Sequence, residues 1–162
     1  MTQPAIEQPV IRQAQPRDLA GIANLWRAYQ QELGVDLCFQ GFEEELRTLP
    51  GRYAPPAGRL LVAESLGQVV GCVALRSLSP QRGEVKRMVV APHWRRQGVA
   101  GRLLDCLLQE AGAMGLQEVV LDTLPSQAAA RNLYVRFGFV PIEPYYETPL
   151  AQTIFLGRTL TQ

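Results

Sequence analysis

Glu84-Val85-Lys86-Arg87-Met88-Val89-Val90-Ala91-Pro92-His93-Trp94-Arg95-Arg96-Gln97-Gly98-Val99-Ala100-Gly101-Arg102-Leu103-Leu104 decides how this chain is read. Val85, Met88, Val89 and Val90 suit a largely buried strand. Pro92 ends that strand, because proline cannot donate to a ladder. Beyond Gly101, the residues Leu103, Leu104, Leu107, Leu108 and Ala111 recur at helical spacing. A turn rich in Arg and Gly thus joins a strand to a helix. It brings unpaired backbone N–H groups, small residues and three arginines (Arg95, Arg96 and Arg102) to a helix N-terminus. That combination receives a polyanion, most simply a pyrophosphate. A plain connection with solvated arginines reads the same, so the turn alone does not decide. It lacks the G-K-[ST] ending of a phosphate-loop NTPase, which argues against a nucleotide binder of that class.

The bulk properties narrow the field. At 162 residues the chain is expected to form one domain, residues 9–162, behind a tail of residues 1–8. A net charge of +1 gives no reason to expect a nucleic-acid partner. No apolar run is long enough for a bilayer, so no membrane partner is expected either. Cys38, Cys72 and Cys106 are odd in number and widely spaced, which points to neither a disulfide frame nor a zinc site. No metal is expected. No charged-then-apolar leader opens the sequence, and a cytoplasmic location is the expectation. Fifteen arginines stand against one lysine, Lys86. Codon preference accounts for that as readily as phosphate binding, for which arginine is the better fork. Either way, the chain offers almost no lysine of its own for acylation.

Around the central stretch the elements fall in order. Val10 to Ala14 can form a first strand. Pro16-Arg17-Asp18 suits a helix start, and Leu19, Ile22, Ala23, Trp26, Tyr29 and Leu33 follow at helical spacing up to Gly34. Phe42 to Leu49 reads as a shorter helix. Leu60–Glu64 and Val69–Leu75 read as strands of a hairpin around Gly67-Gln68. The helix after Gly101 is expected to end near Gly115. Glu118–Thr123 is the next strand, and Ser126 to Phe137 the next helix, with Ser126 as its N-cap. Phe139–Ile142 and Thr153–Leu156 close the chain as strands.

Two motifs then carry a resemblance. Arg95-x-x-Gly98-x-Ala100 resembles the Q/R-x-x-G-x-G/A signature of the GNAT N-acetyltransferase superfamily. About thirty residues on, Ala130-x-x-Leu133-Tyr134-x-x-x-Gly138-Phe139 resembles a second recurrent segment of it. The likeness covers roughly residues 9 to 160, and the element order agrees with it. It implies an α/β (α+β) fold: a mixed, mostly antiparallel central sheet flanked by helices.

The resemblance also implies chemistry. Acetyl-CoA, or a close acyl-CoA, would donate the acyl group to a primary amine of a small molecule, amino acid or peptide. A non-catalytic acyl-CoA-binding or sensing module is the opposing reading. The backbone of Gln97, Gly98, Val99, Ala100 and Gly101 would hold the pyrophosphate, with Arg95, Arg96 and Arg102 adding charge nearby. Met88 and Val90 would pair with the pantetheine arm, and the N–H of Val89 or Val90 would face the thioester oxygen. Many relatives carry an asparagine where this chain has Gln127; Ser126, Gln127 and Asn132 are the candidate substitutes. Tyr134 holds the position of the acid that protonates the leaving thiolate. Glu84 resembles a glutamate that is the base in some relatives; it is spaced to share a strand face with Met88, and an ion pair with Arg87 or Lys86 is its competing role. Tyr29 and Phe39 are candidates for the acceptor wall. The segment Pro144–Pro149 resembles one in a bacterial GNAT subgroup, and Tyr145, Tyr146 or Glu147 could lie over the acceptor; a packed, proline-flanked turn reads equally well. Dimers are common in the superfamily, which leaves a homodimer open.

Overall fold

The structure, a computed structural model, describes residues 7–34 and 41–160. Along the chain, β1 (Val10–Gln13) leads through a short 3-10 turn into α1 (Leu19–Leu33), which is followed by α2 (Phe42–Arg47). Three strands come next: β2 (Arg59–Ser65), β3 (Gln68–Ser77) and β4 (Arg82–Val90). Then come α3 (Val99–Ala113), β5 (Glu118–Thr123), α4 (Ala128–Arg136), β6 (Val140–Pro141) and β7 (Ile154–Thr159). The strands form one sheet in the order β1-β2-β3-β4-β5-β7-β6. Every neighbouring pair is antiparallel except β4 and β5. This is the mixed, mostly antiparallel α/β sheet expected from the sequence.

Both faces of the sheet are covered, which is why its central strands read as apolar runs rather than alternating patterns. On one face α1 and α2 bury Ile22, Trp26, Phe42 and Leu46 against Leu60, Val62, Cys72 and Ala74. On the other, α3 and α4 bury Leu103, Leu104, Leu107 and Leu133 against Leu61, Val73, Leu75 and Leu121. The indole N–H of Trp26 donates to Cys72 Sγ at 3.0 Å, and burial pushes that thiol up to about 12. Cys72 is therefore an inert packing residue. The hairpin turn centres on Leu66 and Gly67, both with positive φ, one residue earlier than the sequence suggested. Ser126 does not cap α4; Gln127 occupies the N-cap position, without a side-chain cap bond. Phe39 and Cys38 lie outside the described residues.

Two irregularities in β4 position everything that follows. First, β4 and β5 pair only at Arg82–Glu84 with Glu118–Val120. Beyond that point the parallel strands run unpaired toward their C-terminal ends, which opens a gap. Second, Cys72 pairs with Val89 but Ala74 pairs with Lys86, so two residues of β4 oppose Val73 alone. This is a β-bulge, with Arg87 at φ 56°. It resets the alternation of side chains. Val85 and Met88 pack on the α3 face, whereas Arg87 reaches across the other face to α2. Glu84 and Met88 therefore do not share a face; the expectation assumed an unbroken strand.

Candidate functional site

The gap between β4 and β5 is the floor of a groove of about 840 Å³. Met88, Val89 and Val90 line one side, and Ser126 to Ala130 and Leu133 of the α4 segment line the other. The turn Trp94–Gly101 closes one end. Gly98 is the N-cap of α3 at φ 82°, a conformation that costs a side-chain-bearing residue about 1–2 kcal/mol. The first backbone bond of the helix runs from Arg102 N–H to Gly98 O, at 3.1 Å. The amides of Gln97, Gly98, Val99, Ala100 and Gly101 precede it and have no acceptor among the described residues. They form the anion-receiving end of a helix.

The arginines divide in a way their spacing did not show. Arg95 forks onto Glu32 of α1, with both N–H···O distances at 2.7 Å, and its Nε donates to Val90 O at 2.9 Å. Its charge is spent on tying the turn to α1 and β4. Arg102 is exposed and does not line the groove. Gln97 also stands off it, its side chain donating to His93 O at 2.7 Å. Arg96 does line the groove. So does Arg136, in the last turn of α4, which sequence reasoning missed although it lies two residues beyond Tyr134 in the second motif.

The backbone of β4 is directional too. Ala91 N–H donates to Val70 O at 2.8 Å, and Val89 sits opposite Cys72 in the same ladder. Val89 N–H is therefore turned into the sheet, and Val90 N–H, one residue on, is turned toward the gap. Of the two amides considered for a thioester oxygen, only that of Val90 has the right direction. Of the three candidate substitutes on α4, Asn132 is exposed and away from the groove. Gln127 lines it, but its Oε1 accepts from Thr123 Oγ1 and Leu124 N at 3.0 and 3.2 Å while its Nε2 donates to Tyr29 OH. Ser126 lines the groove without a recorded bond among the described residues.

At its inner end the groove shares Tyr29, Leu33, Met88, Gln127 and Ala130 with a second, smaller cavity of about 80 Å³. That cavity is polar. Lys86 and Arg87 come from β4, Asp122 and Thr123 from β5, Tyr134 from α4, and Tyr146 from the segment before β7. The ring of Tyr134 packs edge-on against Phe139, 5.7 Å between centroids. Burial, with Asp122 and Tyr29 nearby, raises its phenol well above the usual tyrosine range. Tyr134 therefore stays protonated at neutral pH. Tyr146 OH donates to Asp122 Oδ2 at 2.5 Å. Tyr29 lines both spaces, and its phenol is also raised by burial.

Glu84 and Tyr145 are placed elsewhere. Glu84 is buried, with 2% of its side chain exposed, and does not line the cavity. Its Oε1 accepts from Arg76 Nε at 2.7 Å, with Lys86 Nζ 3.9 Å away, and its Oε2 accepts from Tyr145 OH at 2.6 Å. The expected ion pair is present, but its main partner is Arg76, directly opposite on β3. Tyr145 turns away from the cavity toward Arg76 and Leu78. The polar cavity residues Lys86, Arg87 and Asp122 had not been assigned to a site; ionisable residues inside apolar strands were the available signal.

Similarity to known proteins agrees with this geometry. Residues 20–139 match the acetyltransferase (GNAT) family model. An uncharacterized N-acetyltransferase of Schizosaccharomyces pombe is 36% identical over 149 residues, covering 91% of each chain. The crystal structure of an acetyltransferase from Streptococcus agalactiae superposes with a TM-score of 0.80 at 21% identity, over 93% of this chain and 98% of that one. A GNAT family acetyltransferase from Elizabethkingia anophelis with acetyl-CoA bound superposes with a TM-score of 0.56 at 24% identity, over 64% of this chain and 77% of that one. The family model spans most of the chain and the Schizosaccharomyces pombe relative matches nearly all of it, so this chain belongs to the GNAT acetyltransferase family, the acyl-CoA-dependent N-acyltransferases.

Proposed function

We propose that this chain moves an acetyl group from acetyl-CoA to the primary amine of a small molecule, amino acid or peptide. The observation that carries this reading is a protonated phenol, Tyr134, in a polar cavity that shares its walls with the groove. The acetyl-CoA carried by the Elizabethkingia relative supports the choice of donor. The pyrophosphate would rest on the amides of Gln97 to Gly101, with Arg96 and Arg136 supplying charge from opposite banks. Val90 N–H would donate to the thioester oxygen as it gains charge.

The amine nitrogen attacks the thioester carbon, the C–S bond breaks, and the departing thiolate takes the proton of Tyr134. An alkyl ammonium with a pKa of about 10 must first lose a proton. Asp122 is the carboxylate in the cavity, and the proton leaves through it or through water. Glu84 acts at one remove, by holding Tyr145 and Arg76 in place. Release of free thiol from acetyl-CoA over a panel of amines tests the reading. Activity in the wild type that falls sharply in Tyr134→Phe, with unchanged acetyl-CoA binding, supports it. Binding of acetyl-CoA with no turnover of any amine would make the chain a binding module instead.

A further inference from the structure

Acyl transfer as described assigns no role to Arg87, although it lines the cavity. Only 6% of its side chain is exposed. Its Nε donates to Glu45 Oε2 at 2.8 Å, and its guanidinium lies 5.1 Å from the Phe42 ring centroid and 6.0 Å from that of Trp26. One terminal nitrogen, Nη2, is buried with no hydrogen-bond partner among the described residues. Buried polar groups are nearly always paired, and an N–H donor of a charged group left without an acceptor is a costly exception. The bulge that puts Arg87 on this face holds it at φ 56°, a constrained backbone position for a residue with a long side chain.

The surrounding charges do not satisfy it. Glu45 is divided among Arg87, Arg52 and Tyr53. Glu84, the nearest carboxylate to Lys86, is already bonded to Arg76 and Tyr145. The β4 wall of the cavity thus presents two cations, each facing an anion shared with another arginine. On the β5 wall stands Asp122, whose recorded partner is Tyr146. A cavity with cations on one side and a carboxylate on the other matches a zwitterion. Its size, about 80 Å³, holds a handful of heavy atoms where one water needs roughly 10–15 Å³.

Resting on the acetyltransfer reading above, we infer that the acceptor is a small amino acid whose carboxylate is received by Arg87 with Lys86 while its amine lies toward Asp122 and Tyr134. A guanidinium fork suits a carboxylate. Arg87 and Lys86 are then specificity-determining residues.

Matched acceptors test this: alanine, alaninamide and ethylamine, and likewise the serine and glycine series. Thiol release from acetyl-CoA is followed with each, and binding to the CoA-loaded protein is measured by calorimetry. The wild type is expected to favour amino acid over amide by at least tenfold in kcat/KM, about the effect of one lost charge-assisted contact. Arg87→Gln should bring that ratio close to one, mainly through KM for the amino acid. Arg87→Lys, which keeps a positive charge facing Glu45, and Lys86→Gln, which keeps Arg87, should lower the ratio partway, and they carry the test if thermal melting shows that Arg87→Gln is unfolded. Equal or better turnover by the wild type of the amines that lack a carboxylate would overturn this assignment while acetyltransfer stands. An amino acid preference unchanged by all three variants would overturn it too. Absence of thiol release with every amine, despite acetyl-CoA binding, would overturn both readings.

Discussion

The groove and the cavity beneath it are built on different principles. The groove draws more than half of its lining from two short segments, the turn Trp94–Gly101 and the start of α4, where small residues recur. Its anion-binding power lies in amides that any helix N-terminus leaves unpaired. The cavity draws its polar side chains from α1, β4, β5, α4 and the segment before β7, most of them half-buried and several bonded to one another. Backbone recognition suits a donor common to a whole family, because almost any sequence can supply it. Side-chain recognition suits an acceptor that differs between members, because one substitution changes it. Substitutions in the cavity should therefore cost more than substitutions around the groove.

Glu45→Gln makes the largest expected effect. It removes the main anion facing Arg87 and leaves a buried cation exposed to no solvent, which typically costs about 3–5 kcal/mol. Urea unfolding measures it; a loss under about 1 kcal/mol would mean that the cavity's frame does not depend on this pair. The pH dependence follows the same residue. Burial alone would raise the Glu45 carboxyl, but Arg87, Tyr53 and Arg52 outweigh it and hold the group below its ordinary value. Its folded pKa thus lies under its unfolded one, so its stabilisation is complete above the unfolded value of about 4.3 and is lost as pH falls through the folded value. Wild-type stability should fall below that pH more steeply than that of Glu45→Gln.

Tyr134→Phe comes next. Loss of a general acid lowers kcat by roughly 10²-fold or more, and KM for acetyl-CoA should hold because the groove is untouched. An unchanged kcat would remove the phenol from the chemistry. Gly98→Ala tests the groove itself. The added side chain meets no atom within 4 Å, so its cost is the positive φ alone, about 1–2 kcal/mol, read as weaker acetyl-CoA binding or a lower melting point. Glu32→Gln should do least. Its pair with Arg95 is half-exposed, and such pairs contribute about 0–1 kcal/mol. If it instead tightened acetyl-CoA binding tenfold or more, Arg95 would be a phosphate ligand held in reserve.

The same contrast explains which parts were legible without the structure. The turn at Gly98 is legible because the reasons are local: a proline before it and a helical apolar stripe after it, although α3 begins at Val99, ahead of the Gly101 from which the stripe is counted. Tyr29 and Tyr146 do line the cavity, and Tyr145 does not, although it is the chain neighbour of Tyr146. Period-2 alternation puts Glu84 on the face of Met88 only in an unbroken strand, and the bulge at Arg87 resets it. Arg95 was counted as free charge because its partner Glu32 lies 63 residues away.

By itself the sequence determined the order of elements, the covered sheet and the glycine-rich strand-to-helix turn, because each depends on neighbours within a few residues: apolar period, chain-breaking Pro and Gly, unpaired helix amides. Only the tertiary structure decided which charges are spent and which remain, and hence what the cavity can receive. A charge is neutralised by whatever stands within a few ångströms of it, and in this protein those partners come from distant parts of the chain, brought together by the sheet order and by one bulge in β4.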